Sequence, residues 1–589
     1  MVKALWNSGC RKETMDMLKQ LWPILDDDGR VRLSKAILAG PPLELLAHLD
    51  DSEATVSRDR RIFDRITILE RIGDPPLNDS LQREYERLQE LHPSWKVTEG
   101  EQAHFSSWME FRHGPETRFT VDDLKAMPNQ VLINVLLTER EFRPGLLEIW
   151  RHLAIEDRER AFEVLELLVR AENPEAADLW QRGLWGLRDG ATDDPDRTRL
   201  LRLITLIPNT LIKMNDVVGA ATDILDALSP KAGDTPLFWQ VFERLLPIVS
   251  DLQEMAEEPQ RGDWVSLAIN RPLGRLTGAF LNAMFGRGLK VGQGLPEDLR
   301  PFLDQLLHTN KRAHRVARVV AASRLSYLFA VDPDWTKASL LPGFRWDDED
   351  ETIALWQGYS WHAQIDPQLW VSLRPHFIQL FTEARLDKLR NQGYRRNIGQ
   401  ILMLVGLEFG VNALTREEAR AAIRAMSNHM REAAVAWLAD FLEQQSQEID
   451  VNTRKADDLW KTRVVPWLRK VWPAEPGCRS IGVSEQFGLA AIATHECFPG
   501  AIEFIEPFIV PTRAFLLLSK LDMSDHPTER PDDTMQFLEM LIDPETDDLR
   551  EETLRSILDK IVAAMPEVHD DQRYRKWNEL LRRRDRLRR

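Results

Sequence analysis

Apolar side chains recur at helical spacing along almost the whole chain, and this periodicity is what most constrains its fold. One set follows the spacing i, i+3, i+4, i+7 and i+8, namely Leu554, Ile557, Leu558, Ile561 and Val562. That spacing places all five on one face of an α-helix. The apolar–polar alternation of a half-buried strand is almost absent, with weak exceptions at 96–98 and 480–483. The periodicity therefore predicts an all-α protein.

Several helix starts are marked by an Asp or Asn that precedes a proline. The pairs are Asn173-Pro174, Asp332-Pro333, Asp366-Pro367 and Asp543-Pro544. The side chain accepts hydrogen bonds from free backbone N–H groups, and proline has no N–H to lose at the first helical position. Thr120, followed by two acidic residues, predicts another start. Pro375 interrupts a helical pattern, which predicts a kink or a new helix.

Short polar segments separate the predicted helices, so most of them are expected to pair antiparallel through short connections. This order predicts an irregular α-solenoid, a HEAT-like multi-helical array. No fixed period with recurring signature positions is visible. We divide the chain into an N-terminal helical segment (1–115), a helical repeat-like region (116–330) and a C-terminal helical region with a basic tail (331–589).

Length, charge and cysteine content narrow the classes of function. The chain has 589 residues and a formal net charge of −17. It is long enough to bury a substantial core, and its charge disfavours general nucleic-acid binding. Three cysteines fit a reducing, cytoplasmic location, and no apolar run long enough for a transmembrane helix is present. The helical pattern begins almost at Met1, which is compatible with a piece cut from a longer protein.

Two clusters contain residue types that occur in ligand sites. Gly286, Gly288, Gly292 and Gly294 follow a helical run instead of a strand, which favours a flexible loop over a phosphate-binding loop. The second cluster is His495 and Cys497, with Cys478 nearby in sequence. It lacks a second pair of ligands at zinc-site spacing, which favours buried helix residues over a metal site.

The acidic run 348–351 is typical of a solvated helix start, since carboxylates near a helix N-terminus are stabilised by the dipole. A catalytic or metal site would require carboxylates that converge from different elements. The sequence contains no nucleophile–base pattern, Walker sequence or zinc-protease motif. We therefore predict that the protein is not an enzyme and uses no cofactor or metal.

Tryptophan is concentrated in residues 317–381, which hold Trp335, Trp346, Trp356, Trp361 and Trp370. Large aromatic side chains mostly pack in cores, and a minority anchor interfaces. If Trp346, Trp356 and Trp361 are exposed together, they form a candidate partner-binding surface.

The chain ends in a dense cluster of arginines that extends a predicted helix. Its members are Arg582, Arg583, Arg584, Arg586, Arg588 and Arg589. Cations near a helix C-terminus are favoured by the dipole, which is the plainer explanation. A dense cluster can also bind a phosphate backbone or an acidic protein surface, so these residues are a second candidate partner site.

The order ASRLSYLFAVDPDWT, LLPGFRW, ALWQGYSW and PHFIQLF within 317–381 resembles the helical C-terminal region of bacterial sirtuin-like anti-phage defence proteins. The stretch 58–77 is similar to the same family. The resemblance covers about a fifth of the chain. It implies a helical region that senses a phage protein or holds an NAD-degrading sirtuin-like domain inactive. The chain itself contains no sirtuin core, so no catalytic residue is carried over.

Three hypotheses of function follow. The first is a non-catalytic sensor or scaffold that contacts a protein partner, either an effector domain or a phage or host protein, in a bacterial defence or signalling assembly. The second is a nucleic-acid-associated factor acting through the C-terminal arginines, which the net charge disfavours. The third is an enzyme of unrecognised type. No membrane partner is expected.

Overall fold

The structure is a computed structural model that describes most of the chain. The described residues are 5–6, 11–42, 51–92, 95, 119–139, 143–169, 176–189, 194–254, 262–307, 311–410, 412–446, 449–450, 453–512, 515–545 and 549–588. They divide into two compact units, Met1–Arg118 and Phe119–Arg589. The predicted boundary at 115 lies close to this division. The predicted boundary between 330 and 331 lies inside the second unit, where helix packing continues across it.

The first unit is built from helices α1 Arg11–Ile24, α2 Asp27–Leu38, α3 Asp51–Ile72 and α4 Asp79–Leu91. Helix α1 packs on α3, and α2 and α4 pack on the same helix. Trp22 is fully buried and donates its indole N–H to the carbonyl oxygen of Pro75 at 2.9 Å. The Arg65 guanidinium donates to the carbonyl oxygen of Leu5 and lies 4.1 Å from the ring centre of Trp6. The unit has its own apolar core.

The second unit is also helical. Its helices are α5 Val121–Ala126, α6 Asn129–Thr138, α7 Arg143–Glu156, α8 Arg158–Leu168, α9 Ala177–Asp189, α10 Asp194–Leu206, α11 Asn209–Ile212, α12 Asn215–Ala232, α13 Pro236–Glu254, α14 Trp264–Asn270, α15 Pro272–Gly286, α16 Arg300–Leu307, α17 Arg315–Ala322, α18 Leu325–Val331, α19 Pro333–Ser339, α20 Glu349–Trp361, α21 Pro367–Leu380, α22 Glu383–Lys388, α23 Gln392–Glu408, α24 Arg416–Ala425, α25 Asn428–Ser446, α26 Lys455–Leu459, α27 Val465–Val471, α28 Ile481–Ile492, α29 Phe498–Ile505, α30 Phe515–Met523, α31 His526–Glu529, α32 Pro531–Leu541, α33 Glu551–Ala564 and α34 Gln572–Arg588.

Shorter elements connect these helices. They are the 3₁₀ turns Arg312–His314, Leu341–Phe344, Pro476–Cys478, Glu506–Phe508 and Pro566–Asp570, the π-helical turn Trp460–Val464, and the two-residue strands β1 Ile449–Asp450 and β2 Thr453–Arg454. The two strands pair antiparallel. An isolated parallel bridge joins Thr512 and Ile542. With these two short pairings set aside, the all-α prediction is confirmed for the part of the chain that the structure describes.

One row of helices runs through the second unit, and each member packs on the next. The row is α7, α9, α12, α15, α17, α20, α23, α25, α28, α30 and α33. Successive members begin at irregular intervals, from 34 residues between Arg143 and Ala177 to 57 between Asn215 and Pro272. This irregularity explains why no fixed period is visible in the sequence.

A second layer covers the row over part of its length. Helices α6, α8, α10 and α13 pack in succession, and near the C-terminus α29, α32 and α34 do the same. A single apolar core extends between the layers from Leu124 to Leu581. The multi-helical array is thus observed in the described residues. A solenoid with superhelical character remains a prediction.

Close packing within the row has a visible cause at Gly358. This residue lies on α20 where that helix meets α17. A Cβ atom at this position would collide with the carbonyl oxygen of Val319. Glycine therefore permits the two backbones to approach closely.

Arginines from later helices repeatedly bind the C-terminal carbonyl groups of earlier ones. Arg160, Arg244, Arg318 and Arg431 donate to the ends of α5, α10, α16 and α24, respectively. The last carbonyl groups of a helix have no partner within it, and the dipole makes this end attractive to cations. These side chains therefore tie helices of the array together.

Most predicted helix starts that lie in described residues are correct. The side chains of Asp332 and Asp366 cap α19 and α21, and Thr120 forms a capping box with Asp123 at α5. Asn173-Pro174 lies outside the described residues. Helix α21 continues through Pro375 without starting a new helix.

One local prediction is wrong. No helix begins at Asp543-Pro544, because the Asp543 N–H donates to the carbonyl oxygen of Thr512 and the next helix starts at Glu551. The weak alternating pattern at 480–483 lies at a helix start, since the Ser480 hydroxyl accepts the N–H of Val483 and caps α28. The other weak alternating pattern, at 96–98, lies outside the described residues.

Candidate partner-binding surface

The three nominated tryptophans do not share an exposed surface. Trp356 is fully buried on α20 and packs edge-to-face against Phe344 at 4.9 Å between ring centres. It cannot touch a partner, so the prediction that it belongs to a partner-binding surface is wrong. Trp346 is half-buried, donates its indole N–H to the carbonyl oxygen of His376 at 3.0 Å, and lies under the Arg385 guanidinium.

Trp361 is the exception among the three, with 37% of its surface exposed. It is the last residue of α20, and its ring stacks on His362 with 4.5 Å between ring centres. A single ring at a helix end is too small a surface to anchor an interface by itself. The tryptophan-rich stretch is therefore chiefly core.

The acidic run at the start of α20 is more than a solvated helix end. Asp348 caps the helix as predicted, through the N–H of Glu351. Glu351 is largely withdrawn from solvent and accepts 2.6 Å hydrogen bonds from the buried guanidiniums of Arg315 and Arg318. The remaining two carboxylates pair with other elements, Asp350 with Arg312 and Glu349 with Lys388. Residues 349–351 therefore neutralise cationic side chains of the elements that pack beside α20.

The glycine-rich loop after α15 is held in place more firmly than a flexible loop would be. The Gly292 N–H donates to the carbonyl oxygen of Ala330 at 2.8 Å, and the Gly294 N–H donates to the carbonyl oxygen of Val331 at 2.9 Å. The Asp332 carboxylate accepts the N–H of Leu295 at 3.0 Å. These bonds satisfy the backbone groups that a phosphate loop would need to leave free. The loop follows a helix, as the sequence indicated.

His495 and Cys497 contribute to a structural cluster around Asp457. The buried Asp457 carboxylate accepts the backbone N–H groups of His495, Glu496 and Cys497. Burial, together with the nearby Asp457 charge, raises the pKa of the Cys497 thiol to about 12. Burial lowers the pKa of His526, because it disfavours the charged imidazolium. The His526 ring stacks on Phe498 with 3.9 Å between ring centres.

Cys478 and Cys497 are free and buried. Cys478 lies in a 3₁₀ turn and Cys497 at the start of α29. Within the described segments, no group of three or more His, Cys, Asp or Glu side chains is arranged to hold a metal ion.

The arginine cluster lies on α34, the last helix of the second layer. Trp577 and Leu581 face the core and are almost fully buried, while the opposite face is open to solvent. This open face carries a cationic stripe, which consists of Arg575, Lys576, Arg582, Arg583 and Arg586. The side chain of Arg588 and all of Arg589 lie outside the described residues.

The arginines of α34 differ in their pairing. Arg573 donates to Asp571 at 2.6 Å and to Asp532, and its own pKa is raised. Arg584, half-buried, donates to the carbonyl oxygen of Pro544 at 3.0 Å and lies 3.9 Å from Glu551. Of the nominated residues, Arg584 is therefore a structural contact. Within the stripe, Arg575 pairs with Asp570 at 2.8 Å and Lys576 lies 3.8 Å from Glu539. Arg582, Arg583 and Arg586 are exposed and remain available.

An open groove of about 1250 Å³ runs along α34 beside the stripe. The stripe forms one side, and the carboxylates of Glu539, Glu545 and Glu579 also line it. The groove is thus cationic overall but interrupted by negative charge.

A chain of ion pairs across the first row helices was not predicted. It joins Glu148 and Arg151 of α7, Arg182, Arg188 and Asp189 of α9, Asp223 of α12 and Arg275 of α15. Beside it, burial and the neighbouring Asp223 charge raise the pKa of Asp226 to about 6. In several of these pairs the two residues are 34 to 38 positions apart in the sequence. The ion pairs therefore become apparent only when the packing order of the helices is known.

No known protein-family model matches this chain, and no curated protein matches it. In the part of the chain that the structure describes, no helix is long and apolar enough to cross a membrane.

Proposed function

We propose that this chain is a helical interaction module that holds a protein partner in a bacterial anti-phage defence or signalling assembly, without catalysing a reaction itself. The observation that carries the proposal is the exposed cationic stripe of α34. Elsewhere in the second unit, charged side chains commonly pair between helices of the array. Within the stripe, Arg582, Arg583 and Arg586 are exposed on the outer face of α34 and make no ion pair among the described residues.

The architecture supports this function. A row of successively packed helices gives an extended surface on which a partner can contact several elements. Interfaces built on such arrays need no reactive cluster, only complementary shape and charge. The module is therefore suited to bind and to position another protein.

The resemblance of 317–381 to the helical region of sirtuin-like defence proteins supports the choice of assembly. On this basis we propose an NAD-degrading sirtuin-like effector as the partner, with the helical module sensing a phage protein or restraining the enzyme. We place the assembly in the cytoplasm, where NAD is available and where free cysteines such as Cys478 and Cys497 stay reduced.

Co-expression tests this proposal. The tagged full chain is produced together with each protein encoded by the neighbouring genes, and complexes are resolved by size-exclusion chromatography. We expect one of these proteins to co-elute with the chain and to consume NAD when cells are challenged with phage. If none co-elutes, and deleting the gene leaves phage sensitivity unchanged, the proposed function is wrong.

A further inference from the structure

We propose that the cationic stripe of α34 is the docking surface for an acidic segment of the protein partner. This inference rests on the proposed function and adds the chemistry of the contact. The stripe comprises Arg575, Lys576, Arg582, Arg583 and Arg586 on the solvent face of the helix. Three arginines within it, Arg582, Arg583 and Arg586, form its densest part.

The helix dipole does not account for the position of these cations. Its effect falls off within the last turn of a helix, and α34 ends at Arg588. Arg582 and Arg583 lie more than one turn from that end. Arg575 and Lys576 lie near the opposite end, where the dipole disfavours positive charge. Only Arg586 is favoured by its place in the helix.

Internal pairing does not account for the densest part either. Arg573 and Arg584, on the sides of α34 that face the array, are each bound to carboxylates or carbonyl oxygens of neighbouring elements. Among the described residues, Arg582, Arg583 and Arg586 make no ion pair. Three neighbouring cations that make no ion pair repel one another, which costs stability that a bound anion would restore.

The arrangement fits a linear acidic ligand. Arg575, Arg582 and Arg586 are separated by seven and four residues, so they follow one line along the helix. At 1.5 Å per residue, this line is about 16 Å long. Guanidinium groups bind carboxylates through two parallel hydrogen bonds, which gives arginine an advantage over lysine at such a site. A segment with several Asp or Glu side chains can therefore engage the stripe along its length.

The same surface is less suited to nucleic acid. Glu579 lies within the stripe, and Glu539 and Glu545 line the adjoining groove, so a phosphate backbone would meet repulsion there. Binding of single strands also uses exposed aromatic rings for base stacking. The aromatic rings of α34 face inward: Trp577 is buried and Tyr574 packs edge-on against His569. An acidic protein segment can space its carboxylates to face the arginines and not the glutamates, and it needs no exposed ring for stacking.

Fluorescence anisotropy of the full chain with a labelled oligoglutamate peptide tests the proposal. Two stripe variants are compared, R582E/R583E/R586E and the neutral R582Q/R583Q/R586Q. The matched control, R202E/R396E/R416E, reverses three exposed arginines on other helices and has the same net charge as the first variant. A single-stranded oligonucleotide of equal charge serves as the second probe. Circular dichroism establishes that each variant is folded.

We expect peptide binding that weakens with salt and falls at least about tenfold in both stripe variants, equivalent to about 1.4 kcal/mol. The control should change affinity less than about twofold, because charges beyond a Debye length of roughly 8 Å are screened. The proposal is overturned if the peptide does not bind, if all variants bind alike, or if the control loses as much affinity as the stripe variants. Tighter stripe-dependent binding of the oligonucleotide would also overturn it, in favour of nucleic acid.

Co-elution experiments with the stripe variants distinguish a wrong docking surface from a wrong proposed function. If a neighbouring gene product co-elutes equally with the wild-type chain and with the stripe variants, the chain is an interaction module and the docking surface lies elsewhere. Loss of co-elution in the stripe variants alone supports both.

Discussion

Trp356 and Trp361 lie five residues apart on α20 and occupy opposite environments. The first is fully buried among Phe344, Tyr359 and Phe377, and the second is 37% exposed. We expect Trp356→Ala to lower the free energy of unfolding by about 3–5 kcal/mol, since it removes a large buried ring and leaves a cavity. Trp361→Ala should cost less than about 1 kcal/mol. Urea-induced unfolding followed by circular dichroism measures both, and equal losses would contradict the assignment.

Glu351 holds two buried guanidiniums, those of Arg315 and Arg318. Removing one partner of a buried ion pair leaves uncompensated charge, so we expect Glu351→Gln to destabilise the protein by about 3–5 kcal/mol. The neighbouring Asp350 is a matched control, because its pair with Arg312 is exposed on both sides. Asp350→Asn should have an effect within about 1 kcal/mol. Thermal unfolding of the two variants gives the comparison, and a small shift for Glu351→Gln would argue against a buried network.

The raised pKa of the Asp226 carboxyl group predicts that the stability of the protein depends on pH. The pKa of Asp226 is raised to about 6, chiefly by burial and also by the charge of Asp223. A raised carboxyl pKa means that the folded state binds the proton more tightly than the unfolded state, so the wild-type protein loses stability as pH rises through about 6. Asparagine cannot ionise. We expect Asp226→Asn to be about 1–3 kcal/mol more stable than wild type at pH 8 and to show no gain near pH 4.

Unfolding free energies of wild type and Asp226→Asn, measured from pH 4 to pH 8, check this expectation. Asp223→Asn provides the contrast, because it removes a carboxylate paired with Arg188 and Arg275 and should destabilise the protein at pH 8. A difference between Asp226→Asn and wild type that stays constant with pH would rule out the burial of a charged carboxylate at this position.

At the scale of the element, helices of the array are repeatedly joined by an arginine that donates to the C-terminal carbonyl oxygens of an earlier helix. Arg244 of α13 donates to the carbonyl oxygens of Ile204 and Ile207 at the end of α10. We expect Arg244→Met to cost about 1–3 kcal/mol, because these buried acceptors lose a charged donor. Arg202, exposed on α10, is the control, and Arg202→Met should change stability by less than about 0.5 kcal/mol. If the two variants denature at the same urea concentration, the contact does not stabilise the helix end.

Helices and many of their starts were predictable because their signals are local. The caps at Thr120, Asp332 and Asp366 depend on side chains within three residues of the bonded N–H. Asp543-Pro544 carries the same local signal but is drawn into a contact with Thr512, about thirty residues earlier, that a local pattern does not reveal. The arginine cluster at 582–589 was visible as composition, while Arg575 and Lys576 were not singled out. The separation of Arg584 from its exposed neighbours depends on Pro544 and Glu551.

At the scale of the whole molecule, packing order was the least predictable property. Row helices begin at intervals between 34 and 57 residues, so neither the row nor the ion pairs from Glu148 to Arg275 follow a period that sequence could show. Because of the same irregularity, the sequence does not show which tryptophan of a group is buried in the core. Burial of Trp356 follows from Phe344 and Phe377, which belong to other elements. The packing of the array, and not the local sequence, therefore decides which side chains stay exposed.

Hydrogen–deuterium exchange of the full chain, alone and with the co-eluting partner, tests the central claim most directly. Docking on the stripe should stabilise α34 and slow amide exchange in residues 572–588, because a bound segment opposes local unfolding of the helix. We expect protection concentrated in this helix and the adjoining turn Pro566–Asp570, and none in α20 around Trp356. Protection confined to other helices, with exchange in 572–588 unchanged, would contradict it.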